Sequence, residues 1–279
     1  MKKIRTFKYI NIFYTAAAFF VVLILSSCAG KSDARVIVAG STSVQPYAEI
    51  LAEEFALSAP ECEIDIQGGG SSAGVAAVVS GAAEIGMSSR DLNESESDLW
   101  SVTIARDGLA IIAHPDNPVS DLTPDEVRGI YAASITDWSE VGGNGAKIHV
   151  ITREEGSGTR SAFEGLVMGD ELITPRAIVQ DSNGAVRQLV SNDKNSIGFI
   201  SLGLVDDGVK ALNLDGVPPT AENVINGAYE LYRPFLLVCA DEPAGYARRF
   251  IDYIFTPEAQ SLMAGEGLIP FSFFSGEYE

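Results

Sequence analysis

Apolar and polar positions along this chain fall into blocks that read as strand, turn and helix in repeating order. Arg35–Ala39 reads as a first strand broken by Gly40. Tyr47, Ile50, Leu51 and Phe55 then recur at spacings of three and four, which predicts a helix from about Val44 to Leu57. Glu63–Gln67 alternates as a second strand ending in Gly68-Gly69-Gly70, with Ala73–Val79 a short apolar helix and Glu84–Met87 a third strand. The longer strand Val102–Ala113 is expected to be interrupted at Asp107-Gly108. Past the turn cluster Asp116-Asn117-Pro118, Thr123-Pro124-Asp125-Glu126 has the form of a capping box with proline at the first helical position. Lys147–Arg153 reads as a strand with the helix Thr159–Met168 behind it, and Ile178–Gln180, Ile197–Ser201 and Tyr229–Ala240 as further strands. Helices from Pro243 to Phe255 and from Thr256 to a stop at Gly265 end the pattern. Such alternation predicts an α/β fold, its sheets mainly parallel and flanked by helices.

The N-terminus follows a different rule. Lys2, Lys3, Arg5 and Lys8 precede an apolar run from Ile12 to Leu25, which ends in Leu25-Ser26-Ser27-Cys28. A basic start, a short apolar stretch and small residues before a cut describe an export signal. The run is shorter than the roughly 20 residues of a membrane-spanning helix. Leu-Ser-Ser-Cys resembles a bacterial lipobox, which implies cleavage after residue 27 and acylation of Cys28, palmitate included. Several acyl chains on one residue anchor a protein stably where a single chain does not. Residues 28–33 then serve as a tether, and the mature protein is expected outside the cytoplasm on a bacterial membrane.

Composition narrows the partners. Removing the signal leaves 15 Lys+Arg against 38 Asp+Glu, a net charge of −23. That field excludes nucleic acid and anionic lipid surfaces as electrostatic partners, and any anion site must work at short range. Cys62 and Cys239 fall in or beside predicted strands and read as small buried residues, although a bond between them stays open. His114 and His149 are the only histidines and have no metal-ligand spacing, so neither metal nor cofactor is expected. Gly156-Ser157-Gly158 is not the Gly-x-Ser-x-Gly nucleophile elbow, and the glycine-rich turns lack a P-loop lysine. No catalytic residue is predicted. A phosphatase-type enzyme using Ser157 and a purely adhesive surface protein remain the alternatives of other classes.

The chemistry concentrates in three turns of one design. Gly40-Ser41-Thr42-Ser43, Gly68-Gly69-Gly70-Ser71-Ser72 and Gly156-Ser157-Gly158-Thr159 each lie between a predicted strand and a predicted helix. A helix start offers unpaired backbone N–H groups and partial positive charge, glycine admits a close approach, and hydroxyls add rotatable donors. Arg153 stands three residues before Gly156. Three such turns with one arginine point to a shared anion, held at the carboxyl ends of the strands.

These residues also carry a resemblance. Gly40-Ser-Thr-Ser43, Gln67-Gly-Gly-Gly-Ser-Ser72, Ile85-Gly-Met-Ser-Ser-Arg-Asp91 and Arg153-Glu-Glu-Gly-Ser-Gly-Thr159 are similar, in order, to motifs of the substrate-binding proteins of phosphate ABC importers. The resemblance implies a two-lobe periplasmic-binding-protein fold of type II-like topology, joined by a two-crossing hinge. One lobe would comprise residues 34–115 and 228–279, the other 116–227. It implies inorganic phosphate as ligand, ABC permease subunits as partners, a monomer, and no turnover. Thr42, Ser43, Ser71, Ser72, Ser89, Arg153, Ser157, Gly158 and Thr159 then match the phosphate-binding positions, Arg153 as a bidentate fork. Many relatives have an aspartate where this chain has Ser89. That departure keeps sulfate, molybdate and tungstate open as ligands; Asp107 or Asp91 is then either a replacement acceptor or a turn-shaping residue, and Arg90 either a second cation or the partner of a carboxylate.

Overall fold

A computed structural model of the chain describes residues 34–273, so the export signal, the tether and Cys28 lie outside the described residues. The first stretch runs β1 (Ala34–Gly40), α1 (Gln45–Ser58), β2 (Cys62–Gly68), α2 (Ser71–Val79), β3 (Ile85–Ser88) and the long β4 (Trp100–Ala113). A middle stretch follows with β5 (Asp121–Leu122), α3 (Pro124–Tyr131), β6 (His149–Arg153), α4 (Gly158–Phe163), β7 (Ile178–Gln180) and α5 (Asn183–Asn192). It continues through β8 (Ser196–Ser201), β9 (Lys210–Ala211), β10 (Asn213–Leu214) and α6 (Ala221–Ile225). The chain then returns as β11 (Tyr232–Cys239), α7 (Gly245–Ile254), α8 (Pro257–Gly265) and β12 (Ile269–Pro270).

Hydrogen bonding orders the main sheet as β2-β1-β3-β11-β4-β8-β6-β7. Its outer strands are parallel, β1 with β3 and β6 with both β7 and β8. Between them β11 and β4 run antiparallel to their neighbours, so the sheet as a whole is mixed. Strand β4 changes partner halfway: it pairs with β11 up to Gly108 and with β8 from Leu109 onward. The returning chain passes the same place, where Leu109 N donates to Leu231 O at 2.8 Å. Two α/β halves therefore meet at one point of β4 and at the entry to β11.

Two differences from the sequence pattern have physical causes. Asp107-Gly108 does not interrupt β4, because both residues pair with β11, Asp107 opposite Arg233 and Gly108 opposite Tyr232. Helix α5 is absent from the predicted elements because its start, Ser182-Asn183-Gly184, carries turn-type residues. In the structure Ser182 is its N-cap, with Oγ accepting from Ala185 N. Alternate residues of β4 face opposite sides. Leu109, Ile111 and Ala113 join Tyr131, Phe163 and Phe199 in one core, while Ala110 and Ile112 pack with Val186 and Val190 of α5. In the first half Phe55 of α1 meets Phe250 of α7 edge-on at 5.4 Å. The Thr123 capping box forms, and Cys62 and Cys239 are buried and free.

Candidate functional site

Close approach of β1, β3 and α2 sets the first side of the site. A Cβ on Gly40 would overlap Met87 O and stand 3.0 Å from Gly74 Cα, so only glycine lets these three elements meet. The first two turns are thereby stitched together, Gly70 N donating to Gly40 O and Ser41 N to Met87 O, each at 2.9 Å. Three buried hydroxyls converge as a result. Ser41 Oγ donates to Ser89 Oγ at 2.8 Å, Ser89 N donates to Ser71 Oγ at 3.0 Å, and the Ser71 and Ser89 oxygens lie 3.3 Å apart.

The third turn faces them from the other half. Arg153, at the end of β6, is 1% exposed. Its Nη2 donates to Thr42 Oγ1 at 3.1 Å and its Nη1 to Thr159 Oγ1 at 3.4 Å. Glu154 grips the other edge through Nε and Nη2, both at 2.9 Å, and the Gln180 and Asp181 carbonyls accept from the same guanidinium. Across the gap Ser43 Oγ and Thr159 Oγ1 are 2.8 Å apart, and Ser72 N donates to Gly156 O at 3.2 Å. Ser157 caps α4, its Oγ accepting from Arg160 N. Gly158 sits so close to the opposite side that a Cβ there would overlap both Ser71 Oγ and Ser89 Oγ.

All three sequence-predicted turns thus come together, with Arg153 between them. Two further positions have partners of their own in the structure. Arg90 is held at the rim by Glu96, with Nη1 and Nη2 donating at 2.8 and 2.9 Å, and its remaining Nη2 contact is the exposed Ser72 hydroxyl at 3.3 Å. Asp107 is wholly buried, but its oxygens are taken. Arg233 donates to Oδ2 through Nε (3.1 Å) and Nη2 (2.9 Å), and Ser201 Oγ donates to Oδ1 at 2.7 Å. Burial pushes the Asp107 carboxyl up, against the pull of Arg233. Asp107 is therefore a structural partner of Arg233 and has no acceptor to spare for a ligand.

Two buried polar residues at the site, Arg233 and Asn183, were not anticipated, and Ser41 lay in a predicted turn without being assigned to the ligand. Ser41 supplies the first hydroxyl of the cluster. Arg233 reaches Ser89 Oγ through Nη1 at 3.4 Å, and Asn183, the first residue of α5, donates from Nδ2 to Ser43 Oγ at 2.8 Å. A charged side chain in the apolar run Tyr229–Ala240 was the available signal for Arg233. For Asn183 the signal was Ser182 as cap before Val186 and Val190.

Donors converging from two α/β halves, with a buried arginine at the centre, define a binding protein for a small anion. The chain belongs to the PBP superfamily, whose domain profile matches residues 27–258, and within it to the PstS family. It is similar to the phosphate-binding protein PstS of Bacillus subtilis, 32% identical over 246 residues that span 86% of this chain and 82% of the relative. Among solved structures it is similar to one from Clostridium perfringens described as a phosphate ABC transporter substrate-binding protein with bound phosphate. That likeness has 44% identity and a TM-score of 0.83, over 85% of this chain and 99% of the other. An ABC-type phosphate transport receptor from Vibrio cholerae shares 40% identity at a TM-score of 0.72, over 84% and 99%. The two halves are the lobes of a periplasmic-binding-protein fold.

Proposed function

We propose that this chain captures inorganic phosphate outside the cytoplasm and hands it to the permease of an ABC importer, without chemical change to the ion. The observation that carries this reading is the position of Arg153, buried between Thr42 of one half and Thr159 of the other. A guanidinium fork with hydroxyls and helix-start N–H groups on both sides suits a tetrahedral oxyanion. Thr42, Ser43, Ser71, Ser89, Arg153, Ser157, Gly158 and Thr159 form the binding set, with Ser72 and Arg90 at its rim. The lobes are residues 34–115 with 228–279, and 116–227, and they close as a clamp about the β4 and β11 crossings. Cys28 carries the lipid anchor, and the protein works as a monomer. Among the described residues no helix is long and apolar enough to cross a membrane.

Nothing at the site favours turnover. Ser157 Oγ is engaged as a helix cap, His149 is held by Asp193 at 2.6 Å, and His114 Nδ1 accepts from Asp116 N. Calorimetry with phosphate, sulfate and molybdate tests the function directly. Phosphate is expected to bind most tightly, and at a thousand times its dissociation constant to add about 4 kcal/mol to stability. Sulfate binding as tight as phosphate, or no thermal shift with any oxyanion, would overturn the reading.

Closure itself makes a second prediction. Gly158 opens α4, where alanine is intrinsically better than glycine by about 1 kcal/mol. Gly158→Ala should therefore fold normally, yet hold the halves apart at Ser71 and Ser89 and weaken phosphate binding by about tenfold or more, as a difference of about 1.4 kcal/mol implies. An unchanged dissociation constant in that variant would show that the halves do not close this far around the ion.

A further inference from the structure

At neutral pH inorganic phosphate carries at least one P–OH proton, whereas sulfate carries none. A site that encloses phosphate needs an acceptor for that proton, and each hydroxyl gathered here already accepts at least one hydrogen bond within the protein. A serine hydroxyl has two lone pairs and one proton. Ser89 Oγ receives Ser41 Oγ at 2.8 Å and Arg233 Nη1 at 3.4 Å, so what remains to it is its proton. Ser71 Oγ receives Ser89 N, Thr42 Oγ1 receives Arg153 Nη2, Thr159 Oγ1 receives Arg153 Nη1, and Ser43 Oγ receives Asn183 Nδ2. Both oxygens of Glu154 face Arg153, and those of Asp107 are filled by Arg233 and Ser201.

One acceptor beside this cluster is unmatched. Asn183 is 1% exposed, and its Oδ1 is buried with no hydrogen-bond partner. Among the described residues, the two other buried side-chain polar atoms left without a partner are the hydroxyls of Tyr47 and Thr152. Tyr47 OH packs against Gly203, and Thr152 precedes Arg153 in β6, where alternation turns its side chain to the opposite face. Asn183 is different in place as well as chemistry. It opens the ten-residue helix α5, and the other end of its amide already touches Ser43 in the contact between the two halves.

We infer that Asn183 Oδ1 accepts the proton of the bound phosphate, so that Asn183, and not Ser89, sets the preference for protonated oxyanions. A neutral amide oxygen can accept from a P–OH group and has nothing to offer a fully deprotonated anion, which would press its own lone pairs against it. Ser89 acts in the same site as a donor to either anion. The inference rests on the binding set proposed above.

The test is calorimetry of phosphate and sulfate on the full mature chain, read as the ratio of the two affinities. In the unmodified protein phosphate should exceed sulfate by about tenfold or more, the effect of one buried polar group left unpaired. Asn183→Leu should reduce that ratio by about tenfold, Asn183→Asp should keep it while lowering both affinities, and Ser89→Ala should lower both affinities and leave the ratio in place. Equal losses for both anions in Asn183→Leu would make Asn183 a mere prop for Ser43 and overturn the inference; so would collapse of the ratio in Ser89→Ala. Should the leucine variant fail to fold, the unmodified protein and Asn183→Asp still decide: equal affinities in the first, or a lost ratio in the second, refute it. Arg153→Ala separates the two levels, since phosphate binding that survives it would remove the proposed site itself.

Discussion

Arg153→Ala is expected to lower phosphate affinity by about a thousandfold, the largest effect of any single substitution at this site. Two charge-assisted hydrogen bonds from one guanidinium contribute about 1.5–3 kcal/mol each. Their joint loss is thus about 3–6 kcal/mol, or roughly two to four powers of ten in affinity. Arg153 is also held in position before any ion arrives, by Glu154 on one edge and the Gln180 and Asp181 carbonyls behind. Little ordering remains to be done on binding, which is where pre-organised contacts gain affinity. Removal frees those carbonyls, so a fall of a few degrees in melting temperature should accompany the loss. Arg153→Lys retains the charge without the fork and should lie between. Salt supplies the contrast. The mature chain carries −23, so long-range attraction of an anion is weak, and raising ionic strength should change affinity far less than the alanine substitution does. A salt effect equal to the mutational one would mean that the ion is drawn by the overall field, not by Arg153.

The parts of this site legible in the sequence were those set by local chain chemistry. Glycine before hydroxyls at a strand-to-helix junction is a local pattern, and each of the three turns formed where that pattern stood. Capping behaved likewise at Thr123. What stayed hidden depends on elements far apart in sequence. Ser89 gains its character from Ser41 and Arg233, which are 48 and 144 positions away along the chain. Asp107-Gly108 has the composition of a bend, yet β11 pairs with both residues and holds them in the strand. Tertiary pairing overrode turn propensity there, as it commonly overrides local preference. Asn183 was lost with its helix. Gly184 weakens the helical pattern at the very start of α5, and burial of Val186 and Val190 against Ile112 and Ile151 provides the stability that local propensity lacks.

Arg233→Met should be the most destabilising substitution in the described chain, by about 3–5 kcal/mol at neutral pH. Asp107 and Arg233 are 0% and 1% exposed at their side chains, and their ion pair joins β4 to β11 beside the point where β4 changes partner. Ser201 ties β8 to the same carboxylate. A methionine fills much of the arginine's space but leaves the carboxylate buried without its cation, and that uncompensated charge is the source of the cost. Roughly 10 °C of melting temperature is the corresponding shift for a domain of this size. The remedy identifies the cause. Asp107→Leu in addition to Arg233→Met removes both charges, and should recover a large part of the lost stability, because replacing a buried pair by apolar residues is often neutral or better. Should the double variant melt no higher than Arg233→Met alone, the pair's worth would lie in packing or in the Ser201 and Ser89 contacts. Recovery would leave a folded protein whose Ser89 has lost one donor, and its phosphate affinity would then report what Arg233 contributes to the site apart from holding the crossing strands together.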